Sequence, residues 1–442
     1  MTRPLRIALV SYRGNMKCGG QGVYLWFLAR ELARQGAHVD VFVGPPYPDP
    51  MPFAKSVHEL PNRQFWSRWF TRDYAGMLAE SPLQALSPLH FYELACSRLG
   101  FLPEPFAFSV RAFRALSAQM RAGRTWDIVH DVQCLGYGLL GAQAAGLPLV
   151  TTIHHPLTVD RRASFVRDNS LREAIGTMQF YPIGMQSFVA RRLDRVLTSS
   201  EASAEQIVRD FGVDPQRVTN VWNGIDTDLY CPAAEVSRQP NEILCVGRAN
   251  DPNKGIRTLV EALAQMPESV HLSLVDEDRP DNPVFQWARQ AGVSQRLRVV
   301  GRISTPELVD HYRRAALVVV PSSYEGFGLP AVEAMACGTP VVACNAGALA
   351  EVIRITEGGL LVPRNDPGAL AKAVVTLLEQ PETRARIGAQ ARRRVVTTLS
   401  WPRVAEATAQ VYAEVLSERR GRPASMMTSA QDGTRPATRS ST

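Results

Sequence analysis

The chain is poor in several things, and each shortage removes a class of function. Of its 49 basic residues only Lys17, Lys55, Lys254 and Lys372 are lysines, so a lysine inside a motif carries more information here than in an ordinary chain. The cysteines (Cys18, Cys96, Cys134, Cys231, Cys245, Cys337, Cys344) are odd in number and scattered, with no Cys-x-x-Cys pair. That argues against a disulfide framework or a structural zinc and fits a reducing cytoplasm. No His, Cys and Asp cluster stands at metal-ligand spacing, so neither a metal nor a resident cofactor is expected. Long apolar runs are missing too: Ile7 to Val10 is too short for a signal-peptide core. Leu135 to Ile153 is uncharged and close to membrane-spanning length, but Gly136, Gly138, Gly141, Gly146 and Pro148 break it into a helix, a turn and a strand. No transmembrane segment is expected. The basic excess, +7 over 442 residues, is mild. It suits an anionic ligand such as a diphosphate, or peripheral contact with the inner face of a membrane, and does not argue for nucleic acid.

What is present is a globular composition, 45% hydrophobic, long enough for two or three domains. The opening reads as strand Ile7 to Val10, a glycine-rich loop to Gly22, and a helical face of Leu25, Leu28, Ala29 and Leu32 stopped at Gly36. A strand of Val39, Val41 and Val43 follows. Such alternation implies a parallel sheet covered on both faces. The rhythm restarts at Ile243 to Val246, His271 to Val275, Leu297 to Val300 and Leu317 to Val320, with shorter strands at Pro340 to Ala343 and Leu360 to Val362. The expected organisation is an α/β domain over 1–225 and a second over 226–399, joined by a linker at about 226–241. A helix over 400–418 opens at Ser400-Trp401, and a disordered tail covers 419–442. Within the first domain, about 45–110 departs from the pattern and reads as an insertion. It contains Phe65, Trp66, Trp69 and Phe70 on one side of a helix, with Arg63, Arg68 and Arg72 nearby. Two readings stand: an interfacial membrane element reaching a lipid acceptor, or an insertion packed over the first domain.

The strongest chemical signal is Tyr324 to Met335, reading YEGFGLPAVEAM. It follows a strand, where open α/β sheets place their ligands. Gly326 and Gly328 allow close backbone approach around Phe327 and Leu329, and Pro330 suits a helix's first turn. Glu325 and Glu333 offer two carboxylates to vicinal hydroxyls. Taken with that run, the chain resembles the retaining glycosyltransferases of family 4, with their Glu-x7-Glu signature, from the opening loop to about Leu416. The resemblance implies the GT-B fold: two Rossmann-like domains with parallel sheets facing across a cleft. It implies that Glu325 contacts donor-sugar hydroxyls and that Glu333 binds the nucleotide ribose.

A second cluster, Gly247-Arg248 then Lys254-Gly255, follows the first strand of the second domain. Cations there stabilise a diphosphate leaving group more as the glycosidic bond breaks than before it. They resemble the family's phosphate-binding Arg and Lys. Cys18-Gly19-Gly20-Gln21-Gly22 links the first strand to the first helix, so its amides and the helix N-terminus form an anion site. It matches neither Gly-x-Gly-x-x-Gly nor a Walker loop, which counts against NAD and ATP chemistry. By position Gly19 and Gly20 inherit the family's glycine pair. His154 stands after the strand Leu149 to Ile153 and resembles the family's catalytic-loop histidine, with His155 the alternative register; His130 reads as structural or acceptor-side. Asn223-Gly224-Ile225-Asp226 and Ala346-Gly347 with Glu351 resemble the family's interdomain turn and glycine-rich donor loop. Asp276 and Asp278 depart from its Val-Gly-x-Gly and read as a loop variation with a bearing on base contacts.

The expected activity is transfer of a hexose, with retention, from a nucleoside diphosphate sugar to a sugar, glycan or lipid acceptor. A UDP-sugar is favoured on family frequency, with GDP-mannose second. Rival readings are another GT-B enzyme, an epimerase or phosphorylase, and a non-catalytic sugar-nucleotide-binding protein.

Overall fold

The structure, a computed structural model, describes residues 3–16, 20–61, 87–99, 101–154, 156–158, 161 and 182–421. Gly19, His155 and the aromatic residues Phe65, Trp66, Trp69 and Phe70 lie outside the described residues.

The first half runs β1 (Arg6–Ser11), α1 (Gly20–Arg34), β2 (His38–Val43), β3 (Ser56–Glu59), α2 (Pro88–Arg98), α3 (Glu104–Arg121) and β4 (Ile128–Val132). It continues with α4 (Gly138–Ala144), β5 (Leu149–Thr152), α5 (Ile183–Ala190), β6 (Arg195–Thr198), α6 (Glu201–Phe211) and β7 (Val218–Asn220). The second half comprises β8 (Gln239–Val246), α7 (Ile256–Leu263), β9 (His271–Val275), α8 (Pro283–Gln290), β10 (Leu297–Val299), α9 (Thr305–Arg314) and β11 (Ala315–Val320). Then come α10 (Leu329–Ala336), β12 (Val341–Cys344), α11 (Ala348–Thr356), β13 (Gly359–Val362), α12 (Pro367–Leu378), α13 (Pro381–Thr398) and α14 (Trp401–Gly421).

The strands form two sheets, ordered β3-β2-β1-β4-β5-β6-β7 and β10-β9-β8-β11-β12-β13. All the strand pairings are parallel. β4 and β11 are buried along their whole length, because helices cover both faces of each sheet. In the first sheet the chain moves outward from β1 and then returns to lay β4 on β1's other side. The second sheet repeats this with β8 and β11. Each sheet therefore has one topological switch point, where the loops diverge and leave a crevice at the strands' carboxyl ends.

The structure differs from the sequence reading at two places. The segment read as an insertion supplies β3, paired parallel to β2, and the start of α3, which crosses to β4. The Ser-Val-His-Glu sequence of β3 is too short and polar to announce an edge strand. The segment read as a disordered tail from Arg419 begins as helix: α14 runs to Gly421, and Arg419 grips Asp194 through Nε at 3.0 Å and Nη2 at 2.7 Å. An arginine-rich composition conceals such a bidentate anchor. α14 packs on the first half: Trp401 stacks on Phe27 at 5.2 Å, and Val404 and Tyr412 join the core of α1 and β1. A Cβ on Gly224 would lie 2.4 Å from the Trp401 ring, so the turn before the second half needs glycine there. Among the described residues no helix is long and apolar enough to cross a membrane; the uncharged run Leu135 to Ile153 folds as α4, a turn and β5.

Candidate active site

A cavity of about 610 Å³ lies between the two halves. Its walls come from the loops after β1, β4, β5 and β6 on one side and after β8 and β11 on the other, so both switch points open onto it.

On the second wall Lys254 ends a 3-10 turn, Pro252–Lys254, capped by Asp251, whose carboxylate accepts from the Asn253 amide. Lys254 Nζ donates to Glu325 Oε1 at 2.7 Å, and Ser322 Oγ donates to the same oxygen at 2.8 Å. Gly326, Phe327, Gly328 and Leu329 line the cavity beside Glu325. Gly347 supports that loop from behind: its φ is 51°, and a Cβ there would lie 2.5 Å from the Glu325 carbonyl oxygen. The Ala348 amide can therefore donate to that oxygen at 3.0 Å.

On the first wall Gly20 and Gln21 bring the N-terminus of α1 to the cavity. The loop after β5 supplies His154, whose ring meets Tyr24 edge-on at 4.8 Å. Its amide donates to Gln133 Oε1 at 2.9 Å. Arg13 also lines this wall, with Nη2 2.7 Å from the buried carboxylate of Glu104.

Direct contacts join the walls. Ser199 and Ser200 each donate a hydroxyl to the Gly326 carbonyl at 3.3 Å. Glu351, 7% exposed, accepts the Glu201 and Ala202 amides at 2.7 and 2.8 Å, so a carboxylate of one half covers the N-terminus of α6 in the other.

Of the residues singled out in the sequence, Gly20, His154, Lys254, Glu325, Gly326, Phe327, Gly328 and Leu329 meet at this cavity, and others, among them Gly247, Arg248, His130, Asp276 and Glu333, do not line it. Arg248 has a 70% exposed side chain, 4.0 Å from Asp251, and Gly247 donates its amide to the Val275 carbonyl. Glu333, eight residues beyond Glu325, accepts the Tyr312 hydroxyl at 2.7 Å and does not line the cavity. Burial raises its pKa, against the lowering effect of hydrogen bonds from Tyr312 and Tyr230. In α10 the Glu333 side chain meets Tyr312 of α9. His130 is not on the acceptor side: it is fully buried, with Nε2 2.7 Å from Thr152 Oγ1 and Nδ1 2.5 Å from the Tyr412 hydroxyl. Burial first, and His154 second, push its pKa down to about 3, so it is a neutral core histidine. Asp276 organises its own loop, accepting from the Ala249 amide and Asn282 Nδ2 at 2.8 Å each. Among the described residues no group of three His, Cys, Asp or Glu is placed to hold a metal ion.

The sequence reading passed over Gln133, Arg13 and the two serines. Two left-handed residues in one short loop, Gln133 and Leu135, mark the first, but only in three dimensions.

The chain matches the model for "Glycosyltransferase Family 4" over residues 18–229 and that for "Glycosyl transferases group 1" over residues 232–394. It is 38% identical to an MMP alpha-(1->4)-mannosyltransferase from Mycolicibacterium hassiacum, covering 93% of this chain and 99% of the relative. It is 30% identical to a D-inositol 3-phosphate glycosyltransferase from Xylanimonas cellulosilytica, covering 95% and 99%. Among solved structures it resembles a sucrose-phosphate synthase from Thermosynechococcus elongatus, with a TM-score of 0.67 at 25% identity over 94% of this chain and all of that one. The Anabaena protein HepE, in complex with UDP and glucose, shares the fold with a TM-score of 0.65 at 19% identity over 93% and 100%. By these matches over nearly its whole length, the chain belongs to glycosyltransferase family 4 and is a hexosyltransferase of the GT-B fold.

Proposed function

We propose that the enzyme transfers a hexose, with retention at the anomeric carbon, from a nucleoside diphosphate sugar to a sugar, glycan or lipid acceptor. The observation that carries this reading is the Lys254–Glu325 pair on one wall of a cavity that His154 lines from the other. Lys254 meets the departing diphosphate, whose charge grows as the bond to the sugar breaks, and the N-terminus of α1 at Gly20 adds its positive end. Phosphate drawing Lys254 away frees Glu325 to accept the donor sugar's hydroxyls. His154 orients the sugar from across the cleft. Arg248 joins as the second cation once a diphosphate lies beside Asp251. Retention without an enzymatic nucleophile implies attack on the face the diphosphate leaves, with a phosphate oxygen taking the acceptor's proton. Contacts between the walls exclude water and limit hydrolysis. The mannosyltransferase relative supports a mannosyl donor, which sets GDP-mannose beside the UDP-sugars.

The test screens UDP-, GDP- and ADP-sugars by thermal shift and then measures turnover of each that binds. Glu325→Ala is expected to lower transfer about a hundredfold or more while nucleoside diphosphate still binds as in the wild type. Near-normal turnover in that variant refutes the role of Glu325.

A further inference from the structure

His154 lies beyond the end of β5, where no strand or helix fixes its backbone. Its amide is held instead by a side chain 21 residues away, Gln133, through the 2.9 Å bond to Oε1. Gln133 is 4% exposed and lines the cavity. Its φ of 53° is a left-handed conformation that residues with side chains adopt at a cost, and Leu135 shares it. Asp131 keeps the loop in this shape. Its fully buried carboxylate accepts the Cys134 and Leu135 amides at 3.1 Å and the Thr151 hydroxyl at 2.8 Å. The strand end of β4 is thereby wound around a carboxylate, and the winding aims Gln133 at the end of β5. Strain of this kind persists where its surroundings over-determine it, and it gathers at functional sites.

We propose that Gln133 is a positioning residue for the transfer reaction: through Oε1 it fixes the backbone of His154 and so the place of the imidazole against the donor sugar. The inference rests on the reading of His154 as a residue that meets the substrate. A glutamine suits the task for two reasons. It is long enough to cross from β4 to the loop after β5, and it ends in an oxygen that accepts the His154 N–H. Tyr24 limits the ring by its edge-on contact. Gln133 thus acts on the backbone and Tyr24 on the ring.

The test compares Gln133→Met, Gln133→Glu and His154→Ala, using GDP-mannose and UDP-glucose as donors and following release of nucleoside diphosphate. Methionine keeps the length and the backbone cost but has no acceptor oxygen. Its kcat is expected to fall roughly 10- to 100-fold, because a small misplacement in a site is amplified in the rate, while donor KM stays within about twofold. Glutamate keeps an accepting oxygen, and its kcat is expected to return to within about fivefold of wild type. A Gln133 that only supports the fold gives the opposite pattern: a lower melting temperature with unchanged kcat in the folded enzyme. Wild-type kcat in Gln133→Met, or equal losses in the Met and Glu variants, overturns the proposal. Should Gln133→Met not fold, Gln133→Glu decides alone: near-normal kcat supports the role, and a loss as large as that of His154→Ala overturns it. Full activity in His154→Ala instead overturns the reading of His154, and this role with it.

Discussion

Each wall of the cleft carries a cation already bonded to a carboxylate, and the two pairs are built differently. On the second wall Lys254 and Glu325 both face the cavity, 26% and 12% exposed. On the first wall Arg13 faces the cavity, but its partner Glu104 is 5% exposed and lies behind. A diphosphate entering the cavity can replace Glu325 as the partner of Lys254, and the displaced carboxylate is still in place to bind the sugar. No such exchange is open at Arg13, because Glu104 does not line the cavity and a carboxylate released there could not take up a ligand. On the proposed reading the second wall changes partners during the reaction, and the first holds its shape.

The largest expected effect follows at Lys254. Lys254→Ala should lower kcat/KM about 10²- to 10³-fold, the usual cost of removing a group aimed at charge that develops in the transition state. Combined with Glu325→Ala the loss should fall well short of the product of the two single losses, because the residues act on one another. Steady-state kinetics on the two single variants and the double variant check this. Fully multiplicative losses would mean that the pair does not work as a unit.

The contacts between the walls come next. Glu351 joins α11 to the N-terminus of α6 with two charge-assisted bonds. Glu351→Gln keeps the size, but its amide group can accept only through its oxygen and turns a donor toward an N–H. A loss of about tenfold in kcat/KM is expected, near the worth of one such bond, with a rise in donor hydrolysis relative to transfer as water enters. Unchanged partition between hydrolysis and transfer would show that the bridge is not needed for closure.

Legibility in the sequence followed the range of the interactions. The fold was readable because alternating strands and helices are local patterns, and they place the loops at strand ends before any contact is known. The same patterns put Lys254 and Glu325 just after strands, and both line the cavity. The neighbour of Glu333 was not legible, because a helix's sequence does not say what each face will meet; here that neighbour is Tyr312. His130 and His154 look alike as strand-end histidines. Yet His130 lies within β4, where it is buried, and His154 falls two residues beyond β5, where it reaches the cavity. Gln133, Arg13 and Glu351 act across 21, 91 and 150 positions of chain, and no spacing rule connects residues so far apart.

The smallest effect is expected at Arg13, and it tests whether the first wall only holds its shape. Arg13→Ala leaves Glu104 without its guanidinium, but Glu104 is the first residue of α3, where the helix N-terminus favours negative charge. Arg13 is also about a third exposed, so water already screens the pair. The stability lost should therefore be about 1 kcal/mol, well below the cost of breaking a fully buried pair. Urea denaturation measures it. With the cavity's shape kept, kcat should change by less than about threefold, since no group aimed at the leaving diphosphate is removed. If Arg13→Ala instead matched Lys254→Ala in kcat, the first wall would also bind charge that develops in the reaction, and the contrast between the two walls would be lost.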